Sequence, residues 1–151
     1  MTTLKVGDKA PDFSALDETG KIINLKDYLG NKLVLFFYPQ ANTPTCTVEA
    51  CNLSDNYKLL KSNGFEVLGV SADSQKKQLN FKRKFNFPYP LLADTEKEVI
   101  NKYGVWGPKK FMGREFDGIH RTTFLINEKG MIEKVIDKVN SKEHAAQILE
   151  E

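Results

Sequence analysis

Lys32-Leu33-Val34-Leu35-Phe36-Phe37-Tyr38 reads as a continuous apolar run of strand length, rich in branched and aromatic residues, that needs burial. Pro39 closes the run, because proline cannot donate to a central sheet ladder. Thr43-Pro44 then reads as a helix start, with threonine at the N-cap and proline at the first helical position. A buried strand that turns so quickly into a helix leaves Cys46 in the first helical turn. There the free backbone N–H groups and the positive end of the helix dipole favour thiolate over thiol.

Cys46, Ala50, Leu53, Tyr57 and Leu60 form the stripe that an amphipathic helix turns toward a core, and the spacing predicts one helix ending near Asn63-Gly64. Cys51 falls instead with Asp55, Lys58 and Ser62, on the solvent side. In an intact helix the Cα atoms of Cys46 and Cys51 would lie roughly 8 to 9 Å apart. A disulfide wants at most about 7 Å, with the Cβ vectors facing each other. The two sulfurs therefore bond only if the first turn unwinds, as a switch and not as a staple.

The remaining elements follow in order. Asp12–Leu16 and Lys21–Ile23 flank Asp17-Glu18-Thr19-Gly20, a hairpin signal. Leu25–Leu29 reads as one short helical turn. Phe65–Ser71 is a second buried strand, Ser74–Phe85 a helix bearing Leu79, Phe81 and Phe85, and Leu91–Ala93 a short strand. Thr95 with Glu98 reads as a capping box opening a helix with Val99, Ile100 and Tyr103. Thr122–Ile126 and Met131–Ile136 pair antiparallel around Asn127–Gly130, and Ser141 caps a last helix with Ala145, Ile148 and Leu149. This order gives an α/β sandwich of the thioredoxin-like pattern, with parallel strands closed by an antiparallel hairpin.

Length and charge narrow the function. With 151 residues, 40% hydrophobic and 28% charged, the chain reads as one globular domain spanning residues 1–151. A net charge of +2 is too small to argue for nucleic acid or a lipid surface. No segment has the length of a membrane span or the apolar core of a signal peptide, so the expectation is a soluble, cytoplasmic protein. Two cysteines do not make a secreted disulfide scaffold. His120 and His144 are too few and too far apart for a metal site. Lys76-Lys77 with Lys82-Arg83-Lys84 reads as a solvated helix face.

Pro39-x-x-x-Thr43-x-x-Cys46, following a buried strand and opening a helix, resembles the peroxiredoxin active-site motif. Cys51, Gly104-Val105-Trp106-Gly107, Phe111-Met112-Gly113 and Gly118–Phe124 resemble the Q-type branch, the bacterioferritin comigratory proteins. The likeness runs from about Gly7 to the C-terminus. It implies a thioredoxin-like fold with an N-terminal hairpin and a central insertion. It also implies reduction of hydrogen peroxide and organic hydroperoxides, with electrons from thioredoxin or a similar dithiol, no metal or organic cofactor, and a monomer.

The same resemblance assigns roles. Cys46 is the peroxidatic residue, passing through a sulfenic acid, and Cys51 the resolving one. Thr43 bonds thiolate and peroxide through its hydroxyl. Arg121 supplies a permanent cation, Pro39 shields the site, and Glu49 orients Arg121. Without the resemblance, Arg121 reads as a surface arginine, Cys46 as an inert core cysteine, and Trp106 and Phe111 as packing. Thr45 stands where relatives usually carry glycine, although other peroxiredoxin branches do not, and Ser54 where many carry arginine. A thiol–disulfide oxidoreductase or a peroxide-sensing protein on the same fold remain the alternative readings.

Overall fold

The computed structural model describes residues 2–150. Strands β1 (Ser14–Leu16) and β2 (Ile22–Asn24) form the expected N-terminal hairpin, and a 3-10 turn follows at Leu25–Tyr28. Asp17 Oδ1 closes the hairpin by accepting from Thr19 N, Thr19 Oγ1 and Lys21 N. Then come β3 (Lys32–Phe37), α1 (Pro44–Asp55), α2 (Tyr57–Ser62), β4 (Phe65–Ser71), α3 (Gln75–Phe85), β5 (Leu91–Ala93) and α4 (Glu98–Lys102). The chain ends with β6 (Trp106–Phe111), β7 (Arg114–Ile119), β8 (Thr122–Ile126), β9 (Ile132–Ile136), a 3-10 turn at Ser141–Glu143 and α5 (His144–Leu149).

The central sheet has the order β5-β4-β3-β8-β9. Strands β3, β4 and β5 run parallel, whereas β8 is antiparallel to β3 and β9 to β8. Strand β3 lies in the middle and is buried on both faces, which explains its continuous apolar sequence. Leu33, Leu35 and Phe37 point into a core shared with Val99, Ile100, Tyr103 and Phe124. Val34, Phe36 and Tyr38 point the other way, against Cys46, Ala50, Leu53, Phe81 and Tyr89.

Four local expectations are corrected. The cysteine helix is broken at Asn56, whose side-chain amide donates to the Asn52 carbonyl at 2.9 Å and competes with the helical ladder. Helix α4 has no Thr95–Glu98 box; its N-cap is Lys97 in left-handed backbone, and Asp94 Oδ2 accepts the Ile100 N–H at 2.8 Å. Ser141 lies inside the 3-10 turn and caps nothing. Phe111 is no packing residue, for it stands 66% exposed at the tip of the β6–β7 hairpin. That hairpin, in the stretch between α4 and β8, was not expected as strands at all.

Candidate active site

The site forms where β3 leaves the sheet. Tyr38 N–H still donates to the Val70 carbonyl at 3.1 Å, holding the chain to β4 up to the edge of Pro39. Beyond it the loop is pinned from below. Ala41 N–H donates to Asp73 Oδ2 at 2.7 Å, and the same oxygen accepts from Ser71 Oγ at 2.7 Å. Gln78, fully buried on α3, extends this network by donating to Ser71 Oγ and accepting from the Tyr38 hydroxyl. Asn42 takes the left-handed turn at φ 62°, and the chain enters α1 with Thr43 at the N-cap and Pro44 next. Thr45 is helical, so its branched side chain meets no left-handed strain, and the change from glycine is absorbed.

Cys46 follows in the first turn, only 2% exposed. Arg121, in the turn between β7 and β8, reaches it from the other half of the chain. Nη2 donates to Cys46 Sγ at 3.1 Å and Nη1 to Glu49 Oε1 at 2.5 Å. The backbone carrying Arg121 is held by His120 N–H on the Val105 carbonyl and by Thr122 Oγ1 on the His120 carbonyl. Burial works against the guanidinium's charge, but Glu49 and the sulfur outweigh it and hold Arg121 above its usual range. Glu49 thus meets the Arg121 guanidinium directly.

Three further placements qualify the expectations. The Thr43 hydroxyl donates to the Gln40 carbonyl at 2.8 Å and makes no bond to Cys46; it braces the loop here. Pro39 borders a cleft of about 320 Å³ together with Gln40, Trp106, Lys109, Phe116 and Ile119. Cys51 is half-buried and packs at the edge of the second core, so it is less solvent-facing than its helical position suggested. Burial, with help from Asp55, pushes its thiol up. Both cysteines are free and α1 is intact between them.

Two groups were not singled out by spacing. Lys109 on β6 donates to the Ile119 carbonyl at 2.9 Å; burial first, then the Arg121 charge, lower its affinity for a proton against the pull of Cys46. His144 is fully buried at the start of α5, its Nε2 3.5 Å from Glu49 Oε2. Neither carries a motif, and each is brought in by a contact between distant segments.

A thioredoxin-like sheet that delivers a buried cysteine to a helix start, with an arginine from across the sheet on its sulfur, defines a thiol peroxidase of the peroxiredoxin class. The AhpC/TSA family matches residues 6–135. The chain is 49% identical over 149 residues to a putative peroxiredoxin bcp of Buchnera aphidicola, covering 99% of this chain and 94% of that one. It is 46% identical over 144 residues to peroxiredoxin Bcp of Escherichia coli, covering 95% and 92%. Among solved structures, a Xylella fastidiosa PrxQ mutant superposes with a TM-score of 0.91 at 28% identity, covering 99% and 95%. The chain belongs to the Bcp/PrxQ branch of the peroxiredoxins. No helix among the described residues is long and apolar enough to cross a membrane.

Proposed function

We propose that this peroxidase works through Cys46 and Cys51, on hydrogen peroxide and organic hydroperoxides, with thioredoxin or a similar dithiol as reductant. The Cys46 thiolate attacks the terminal peroxide oxygen and the O–O bond breaks. Cys46 becomes a sulfenic acid, and the leaving oxygen takes a proton from water to give water or an alcohol. Arg121 stabilises the thiolate beforehand and the charge that builds on the departing oxygen. Helix α1 then frays, Cys51 attacks the sulfenic sulfur, water leaves, and a Cys46–Cys51 disulfide remains. An external dithiol restores both thiols by exchange. Pro39 walls the site beside the cleft, and Thr43 holds the loop through Gln40.

The observation that carries this reading is the 3.1 Å contact of Arg121 Nη2 on a buried sulfur at a helix start. An inert core cysteine has no use for a cation on its sulfur. The test is stoichiometric peroxide followed by intact mass and peptide mapping. The expected product has lost two hydrogens, with Cys46 and Cys51 in one linked peptide. Cys46→Ser consumes no peroxide, whereas Cys51→Ser stops at the sulfenic acid and loses turnover with thioredoxin. Thioredoxin-linked turnover at the wild-type rate in Cys51→Ser removes that cysteine from the cycle.

A further inference from the structure

Among the described residues, Glu49 Oε2 is the one buried side-chain oxygen or nitrogen without a hydrogen-bond partner. Its neighbours explain why. His144 Nδ1 faces Gln147 Oε1 at 2.8 Å, and the Gln147 amide cannot turn round. Its Oε1 accepts from Asn140 N–H at 2.8 Å and its Nε2 donates to the Lys138 carbonyl at 3.0 Å. His144 Nδ1 therefore carries a hydrogen, and a neutral ring presents a bare Nε2. Thr123 Oγ1, 2.7 Å away, has one hydrogen and gives it to that nitrogen. Nothing is left for Glu49 Oε2, which lies 3.5 Å from the same nitrogen.

The charges raise the same difficulty. Helix α1 brings Glu49 and Cys46, the turn before β8 brings Arg121, and α5 brings His144. Tyr89, the remaining titratable group packed there, is uncharged and donates to the Ala50 carbonyl. Lys109 contributes from β6, beyond Arg121. With Glu49 ionised and Cys46 a thiolate, two anions share one guanidinium, and one carboxylate oxygen is fully buried with no donor. A buried carboxylate oxygen in that position is strongly disfavoured.

We propose that Glu49 and His144 hold one proton between Oε2 and Nε2 while Cys46 is a thiolate, leaving the Arg121 charge to the sulfur. Both are positioning residues that act through Arg121, and the inference rests on the Cys46 chemistry above. With the hydrogen on the carboxyl, Oε2 is no longer a buried anion without a donor, and its O–H and the Thr123 O–H share the one lone pair of Nε2. Burial, against the opposing pull of Arg121, pushes the Glu49 carboxyl up to about 7. Burial also pushes His144 down, so the proton resides on the carboxyl. As pH rises past that value Glu49 ionises and competes with the sulfur for Arg121.

Infrared spectra of the reduced protein across pH, with Glu49→Gln as reference, test this together with nitrogen-15 spectra of labelled histidine. The expected result is a protonated-carboxyl stretch below pH about 7, absent from Glu49→Gln, that fades as pH rises. The His144 Nε2 signal moves with it while the ring stays neutral. Peroxide reaction rates should fall several-fold above that pH in the wild type, and the fall should be missing from Glu49→Gln, whose amide supplies the hydrogen permanently. The proposal is overturned by the absence of that band at every pH where the protein is folded, by an imidazolium signal from His144, or by identical pH profiles. Carbon-13 glutamate labelling gives the same readout on the wild type should Glu49→Gln not fold. A wild-type thiol inert to peroxide sinks the Cys46 reading instead, since the two spectroscopic signals need no peroxide.

Discussion

Arg121 spends its two terminal nitrogens on different partners, the Cys46 sulfur and the Glu49 carboxyl. A planar fork holds both partners in a fixed geometry, which an ammonium on a flexible stem does not. Arg121→Lys should therefore slow the reaction of Cys46 with peroxide by about a hundredfold or more. Stopped-flow measurement of the first oxidation checks it, and a wild-type rate would discard the role given to the guanidinium. The two sides of this contact differ in how far the sequence reveals them. The place of Cys46 at a helix start is legible because strand end, N-cap and proline are local signals, although without the family likeness it reads as an inert core cysteine. Arg121 is not, because its partner lies 75 residues away and no periodicity connects them. Only the likeness to a family singled it out. The Glu49–His144 contact had no such guide on the histidine side.

At the scale of elements, α1 is held folded, whereas the proposed disulfide requires it to open. Asn52, beside Cys51, clamps it to the C-terminal turn and helix: its amide donates to the Lys142 carbonyl and its oxygen accepts from Ala145 N–H, both at 2.8 Å. The Tyr89 hydroxyl holds the Ala50 carbonyl at 2.6 Å on the opposite side. Asn52→Ala leaves the buried Ala145 N–H without its partner, water taking over at exposed Lys142, and should cost about 1–2 kcal/mol. It should also speed closure of the Cys46–Cys51 disulfide after the sulfenic acid forms, because α1 frays more readily. Quenched-flow mass analysis and amide exchange over residues 44–52 measure both effects; slower closure would mean that the clamp assists the rearrangement. Helix α1 was readable from its stripe, although the Asn56 break was not, since a side-chain bond to the preceding turn leaves no mark on periodicity. The β6–β7 hairpin was missed for another reason. Trp106-Gly107-Pro108-Lys109-Lys110-Phe111 mixes glycine, proline and lysine, and pairs only with its own return strand outside the main sheet.

The whole molecule is legible where burial dominates, and β3 and β4 announced themselves as apolar runs. Their tolerance is correspondingly small. A Cβ at Gly69 in β4 would lie 2.8 Å from Leu91 Cδ2 and 2.9 Å from Phe36 Cζ, contacts that real side chains do not accept. Gly69→Ala should lower stability by about 1–3 kcal/mol. Denaturant unfolding should show an earlier midpoint at an unchanged slope, and an unshifted midpoint would mean that Phe36 and Leu91 yield freely. The same sheet sets when the sulfur gains its cation. Strand β8 pairs Phe37 with Thr122, and that last rung carries Arg121 to the end of β3. Synthesis proceeds from the N-terminus, so Cys46 emerges long before Arg121 and His144 exist. A half-made chain, or one with β8 docked out of register, holds a thiol with no counter-ion. Under the proposed mechanism such a thiol goes without the help of its cation until the C-terminal strands close the sheet.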